Sequence, residues 1–152
     1  MNRCIDDKVE LPTHFVTVIG WDNNLPAKKF KNFYETKSSS KYDESIGAVG
    51  TYFNDSGIEY SFDVYVNNQK VHSQNGSSEF AGFKTIILDK YVPVKSGDDF
   101  KVVFKNNAVP YQAFSRQHYI PGISLASKDN SSWTDMVELD KTVCLKVYTV
   151  ED

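Results

Sequence analysis

The stretch "IEYSFDVYV" (58–66) decides how this chain is read. Ile58, Tyr60, Phe62, Val64 and Val66 alternate with Glu59, Ser61, Asp63 and Tyr65. A period of two places one set on one face of a β-strand and the other set on the opposite face. One face meets a core and the other is wetter, as in antiparallel sheets. A helix of the same length would need apolar residues three and four apart, and they are not there.

Working outward, turn signals recur. "NDSG" (54–57) separates "IGAVGTYF" (46–53) from the central stretch, and "NNQ" (67–69) follows it. A short strand is expected around Val71, then a Gly/Ser-rich loop at 73–82. "FKTIILD" (83–89), "YVPV" (91–94) and "FKVVFK" (100–105) read as strands, the last two separated by a "KSGDD" turn. A longer loop with two prolines covers 106–122. "ISLAS" (123–127), "WTDMVEL" (133–139) and "VCLKVYTV" (143–150) complete the series. Eight or nine short strands at this spacing predict an all-β, antiparallel sandwich, jelly-roll-like in topology. Upstream, "FVTVIGW" (15–21) has a buried-strand composition, and the polar run 22–45 reads as a linker. Two units are expected: residues 1–40, the least settled part, and a sandwich over 41–152.

Composition narrows the function classes. A net charge of −3 argues against nucleic acid as a partner. No segment approaches the ~20 apolar residues that span a bilayer, so membrane insertion is not expected. "MNRCIDDKVELP" turns acidic where a signal peptide would be apolar. Read literally, the chain carries no signal peptide, unless it is a piece of a longer secreted protein. Cys4 and Cys144 make no framework and no C-x-x-C, and three histidines are too few for a visible metal cluster.

Three constellations are candidates for chemistry. His14 precedes the first apolar run, and a histidine acts as a catalytic base only beside a nucleophile and an orienting group. Cys4, followed by "IDDK", sits near carboxylates that raise a thiol pKa. The loops "DNN", "NDSG", "SGDD" and "KDNSSW" hold oxygen ligands that suit calcium, although Asx residues more often bond their own backbone in turns. The third is a set of aromatics on wet or loop positions: Tyr65, Tyr111, Phe114, His118, Tyr119 and Trp133, with Arg116 nearby. Tyr111, Tyr119 and Trp133 are the candidate ligand-binding residues, set to stack on a saccharide. The competing reading is that these rings plug the ends of the sandwich.

"HFVTVIGWDNN" followed by "KKFK" resembles the His-bearing strand of papain-family cysteine peptidases of the clostridial and methanogen type. "ESIGAVGTYF", "YSFDVYVN", "AGFKTIILDKYVPVKSGDDFKVVFK" and "GISLASKDNSSWTDM" resemble the lectin-like β-sandwich that follows the peptidase in those proteins. The resemblance implies that His14 holds the position of the catalytic histidine. It also implies an extracellular or cell-surface setting. The departures are large. Asn32 in "KNFYE" lacks the Ser-Trp-Gly that accompanies the orienting Asn, and the half bearing the nucleophilic cysteine is missing. The expectation is therefore a non-catalytic, lectin-like binding domain whose partner is a glycan or a peptidase domain. The alternatives are a peptidase fragment whose nucleophile comes from a separate chain, and a structural spacer.

Overall fold

The computed structural model describes residues 33–113 and 119–151. His14, Cys4, the 15–21 stretch and Asn32 lie outside them, as do Phe114, Arg116 and His118. The described residues form eleven strands. They are β1 (Phe33–Ser39), β2 (Glu44–Phe53), β3 (Ile58–Val66), β4 (Gln69–Ser78), β5 (Gly82–Val94) and β6 (Asp99–Lys105). β7 (Tyr111–Ala113), β8 (Ser124–Ser127), β9 (Trp133–Asp135), β10 (Lys141–Val143) and β11 (Leu145–Glu151) follow. Met136–Leu139 form a short 3-10 turn.

Every pairing is antiparallel. One sheet has six strands in the order β4-β3-β6-β1-β8-β9; a second has three, β11-β2-β5; β10 and β7 form a two-stranded piece. The expected all-β antiparallel sandwich is what the chain adopts.

The alternation in 58–66 has the expected result. Tyr60, Phe62 and Val64 are buried, and Ile58 and Val66 pack on the core. Phe104 centres an aromatic cluster. Its ring stacks on Phe62 at 5.7 Å and 6° and on Tyr60 at 5.5 Å, with Tyr34 tilted at 5.4 Å. Offset or tilted aromatic contacts of this kind add ~0.5–1.5 kcal/mol beyond their buried area. Val49, Phe53, Ile86, Leu88, Val92 and Val94 close the core from the three-stranded sheet.

A polar link runs through this core. Tyr34 Oη lies 2.8 Å from Thr51 Oγ1, and Thr51 Oγ1 donates to the Cys144 carbonyl at 2.9 Å. Thr51 has a single hydroxyl proton, so Tyr34 is the donor to it. Burial pushes the Tyr34 phenol above its ordinary range.

Four sequence expectations change. Residues 33–39 are no linker: β1 sits between β6 and β8 inside the large sheet. Tyr34, fully buried, holds it there, while Glu35 and Lys37 on its outward phase disguise the strand. The Gly/Ser-rich stretch 73–82 mostly belongs to β4, an edge strand paired only with β3 in its sheet. Gly76 is required in it, because a Cβ there would lie 2.6 Å from the Tyr60 hydroxyl. Residues 83–89 and 91–94 are one strand, with a register shift opposite Ile46 and Ala48. "WTDMVEL" leaves the sheet after Asp135, whose side chain accepts from the Val137 N–H and caps the 3-10 turn.

Candidate functional site

A groove of about 590 Å³ lies at the end of the six-stranded sheet where β3, β6 and β1 run side by side. Lys37, Tyr65, Asn67, Asn68, Asp99 and Lys101 supply much of its lining, with Ser38, Ser39, Phe100, Gly122 and Ile123 around them. The size falls within the ~300–1,000 Å³ of ligand sites.

Sheet register places the central residues. Tyr65 pairs with Lys101, and Lys101 with Lys37, so the three stand in one row across β3, β6 and β1. Their neighbours along each strand, Val64, Val102 and Thr36, turn the other way; Val64 and Val102 are fully buried. The Lys101 ammonium lies 4.9 Å from the Tyr65 ring centre, a cation–π contact. Beneath the lysines is Glu35, only 3% exposed although it points outward. Lys37 Nζ is 3.1 Å from one of its oxygens and Lys101 Nζ is 3.8 Å from the other.

Three loops at one end of the groove are tied to one another. Asn67 and Asn68 take left-handed backbone angles, φ 48 and φ 65, as a two-residue hairpin turn of the mirror-image type requires. Asparagine tolerates this region better than most residues. The Asn67 side chain donates to Asp98 Oδ1 at 2.8 Å and accepts from the Asp99 N–H at 3.1 Å. Asp98 also accepts from the Lys95 N–H at 2.8 Å. The Asn67 amide, and then that N–H, hold the Asp98 carboxyl below its ordinary range. Asp43 accepts from the Ser96 N–H at 2.9 Å and pairs with Lys95 at 3.1 Å, and its carboxyl is lowered in the same way. Ser39 Oγ donates to Asp99. The loop end of the groove is thus fixed by side chains from three connections.

Of the acidic loops that suit calcium, "DNN" (22–24) lies outside the described residues, and in the other three an aspartate accepts from backbone N–H groups of its own turn. Asp129 accepts from the N–H groups of Ser131 and Ser132 at 2.9 and 2.8 Å, and these bonds hold its carboxyl far below the usual range. Among the described residues, no three His, Cys, Asp or Glu side chains are grouped to hold a metal.

The sequence-derived aromatics are spread over the fold. Tyr111 lies on β7, packs against the core and has Lys141 Nζ 4.4 Å from its ring centre. Trp133 is on β9, the edge of the six-stranded sheet, opposite Ser127. Tyr119 is half-buried between β7 and β8. None of the three lines the groove, whereas Tyr65 does. Glu35, Lys37 and Lys101 escaped the sequence reading. The signal available was a row of charges on one phase of two strands, visible only once β1 is recognised.

A second cluster of rings lies on the outer face of the three-stranded sheet. Phe83 is 5.0 Å from Tyr52, and the Phe83 and Tyr148 rings close over Gly50. The Tyr91 ring lies flat on Gly47, three of its atoms 3.4–3.7 Å from where a Cβ would stand.

Comparison with known proteins adds one decisive match. A family model described as "Lectin like domain" matches residues 15–149. The chain belongs to the lectin-like domain family. No curated protein and no solved structure matches it. The lectin-like match begins within "FVTVIGW" and runs through β1 to β11. Among the described residues, no helix of this lectin-like domain is long and apolar enough to cross a membrane.

Proposed function

We propose that this lectin-like domain is a non-catalytic module that binds saccharide in the groove of its six-stranded sheet and accompanies a cysteine peptidase at the cell surface. The carrying observation is the groove itself. It gathers a tyrosine ring, two asparagines, two serines, a carboxylate and two ammonium groups in one open lining held by tied loops. Sugar hydroxyls both donate and accept, so they need such a mixture, and the ring offers a face for the apolar side of a pyranose. The "HFVTVIGWDNN" likeness supports the peptidase association and the surface setting. The Cys144 thiol supports a non-catalytic role: burial pushes it up to about 11, so it is not a thiolate at neutral pH.

A glycan array probed with the full chain tests this, run with calcium and again with chelator, beside the Tyr65→Ala variant. Selective binding that Tyr65→Ala abolishes is expected, and the chelator arm reads any calcium contribution. A folded protein that binds nothing contradicts the saccharide reading. A thiol-directed peptidase probe is expected to leave both cysteines unlabelled; labelling of either one contradicts the non-catalytic reading.

A further inference from the structure

Charge in the groove is unevenly placed. Glu35 is covered, with 4% of its side chain exposed, while the Lys37 and Lys101 side chains remain 41% and 28% exposed. The anion is therefore underneath and both cations reach the solvent. Two ammonium groups against one buried carboxylate leave a positive charge at this end. Each ammonium has three donor protons, and a contact with Glu35 uses only part of that capacity. The exposed carboxylate of the lining, Asp99, is at the other end. It lies two residues along β6 from Lys101, about 7 Å at the rise of a strand, and accepts from Ser39. The lining is thus cationic at the Lys37–Lys101–Tyr65 row and hydrogen-bonding at the Asn67–Asn68–Asp99 turn. A single sugar ring is of the same length as that separation.

We infer that the groove selects acidic saccharides, with a sugar carboxylate at Lys37 and Lys101 and the hydroxyls directed to the Asn68 and Asp99 end. This rests on the saccharide-binding reading above. Charge-assisted bonds are roughly twice as strong as neutral ones, and two exposed ammonium groups in one row distinguish a carboxylate from a hydroxymethyl group. Glu35 sets the strength of the preference, because it holds back part of both cations. It acts through the lysines rather than on the sugar.

The test is an array of paired glycans, each uronic- or sialic-acid sugar printed beside its carboxyl-reduced form, probed with the full chain. The acidic member is expected to bind about ten-fold tighter, a step equal to one good charge-assisted contact. High salt should narrow the gap, since exposed charges are screened. K101Q should bring the acidic member down to its neutral partner, and K101R should keep the preference. E35Q, close in shape and freeing both cations, should widen it, which guards against reading a misfolded K101Q as support. Equal binding of both members, or a preference untouched by K101Q and E35Q, overturns the inference and leaves the saccharide reading in place. Binding of neither member overturns both.

Discussion

On the outer face of the six-stranded sheet, Tyr65, Lys101 and Lys37 stand in one row over a buried Glu35. On the outer face of the three-stranded sheet, the row through β5, β2 and β11 is Thr85, Gly50 and Lys146, roofed by Phe83 and Tyr148. The first face carries a groove, and its two lysines share one buried carboxylate. The second is filled in by its own rings, which lie down where glycines leave room. Aromatic rings therefore play different parts on the two faces. Rings settled onto glycine complete the surface of a sheet, whereas a ring held by a lysine beside amides and hydroxyls leaves a lining that a polar ligand can use.

The largest effect that separates the faces should come from Lys37→Gln with Lys101→Gln together. The pair of substitutions leaves Glu35 buried and uncompensated, and removing the partner of a buried charge costs about 3 kcal/mol or more. Urea unfolding measures it, and adding Glu35→Gln should recover most of the loss. If the double variant is as stable as the parent, the lysines do not balance Glu35.

A smaller effect is expected on the aromatic face. Phe83→Ala removes a ring that is 43% exposed, so roughly 1 kcal/mol is lost rather than the 3–5 of a core phenylalanine. A loss near the core value would mean the face is covered. Ile87→Lys, at a position 67% exposed, should change stability by less than about 0.5 kcal/mol. A large loss there would again point to a covered surface.

Acid should act on the groove face through its loops. Asp43 and Asp98 have folded pKa values below their ordinary 3.8. Groups lowered by folding stabilise above the unfolded value, and that contribution fades as pH falls through the folded one. Thermal melts should therefore hold steady down to about pH 4 and decline below it. Asn67→Ala, which removes the largest cause for Asp98, should make that decline shallower. An unchanged acid limb would mean that the tied loops do not carry it.

Much of the fold was legible because β3 writes its two faces plainly into the sequence. Asn67 and Asn68 announced their turn for the same local reason. β1 was not legible: its outward residues are Phe33, Glu35 and Lys37, and burial of Glu35 depends on a lysine from β6, 66 positions away in the chain. β4 was hidden by being an edge, where Gln, Asn and Ser need no core. Gln74 bonds instead to the backbone of β5, donating to the Ile87 carbonyl and accepting from the Asp89 N–H. Of the candidate site, Tyr65 was visible as an aromatic on the wet phase. The rest needed the register between strands, which no single stretch of sequence contains.

The central claim is that the groove, and not the aromatic face, takes the ligand. The most direct measurement is glycan-array binding by two single variants of the full chain, Tyr65→Ala and Tyr91→Ala. Loss of binding in Tyr65→Ala with retention in Tyr91→Ala is the predicted result. Retention in Tyr65→Ala with loss in Tyr91→Ala would place the ligand on the three-stranded sheet and contradict the account.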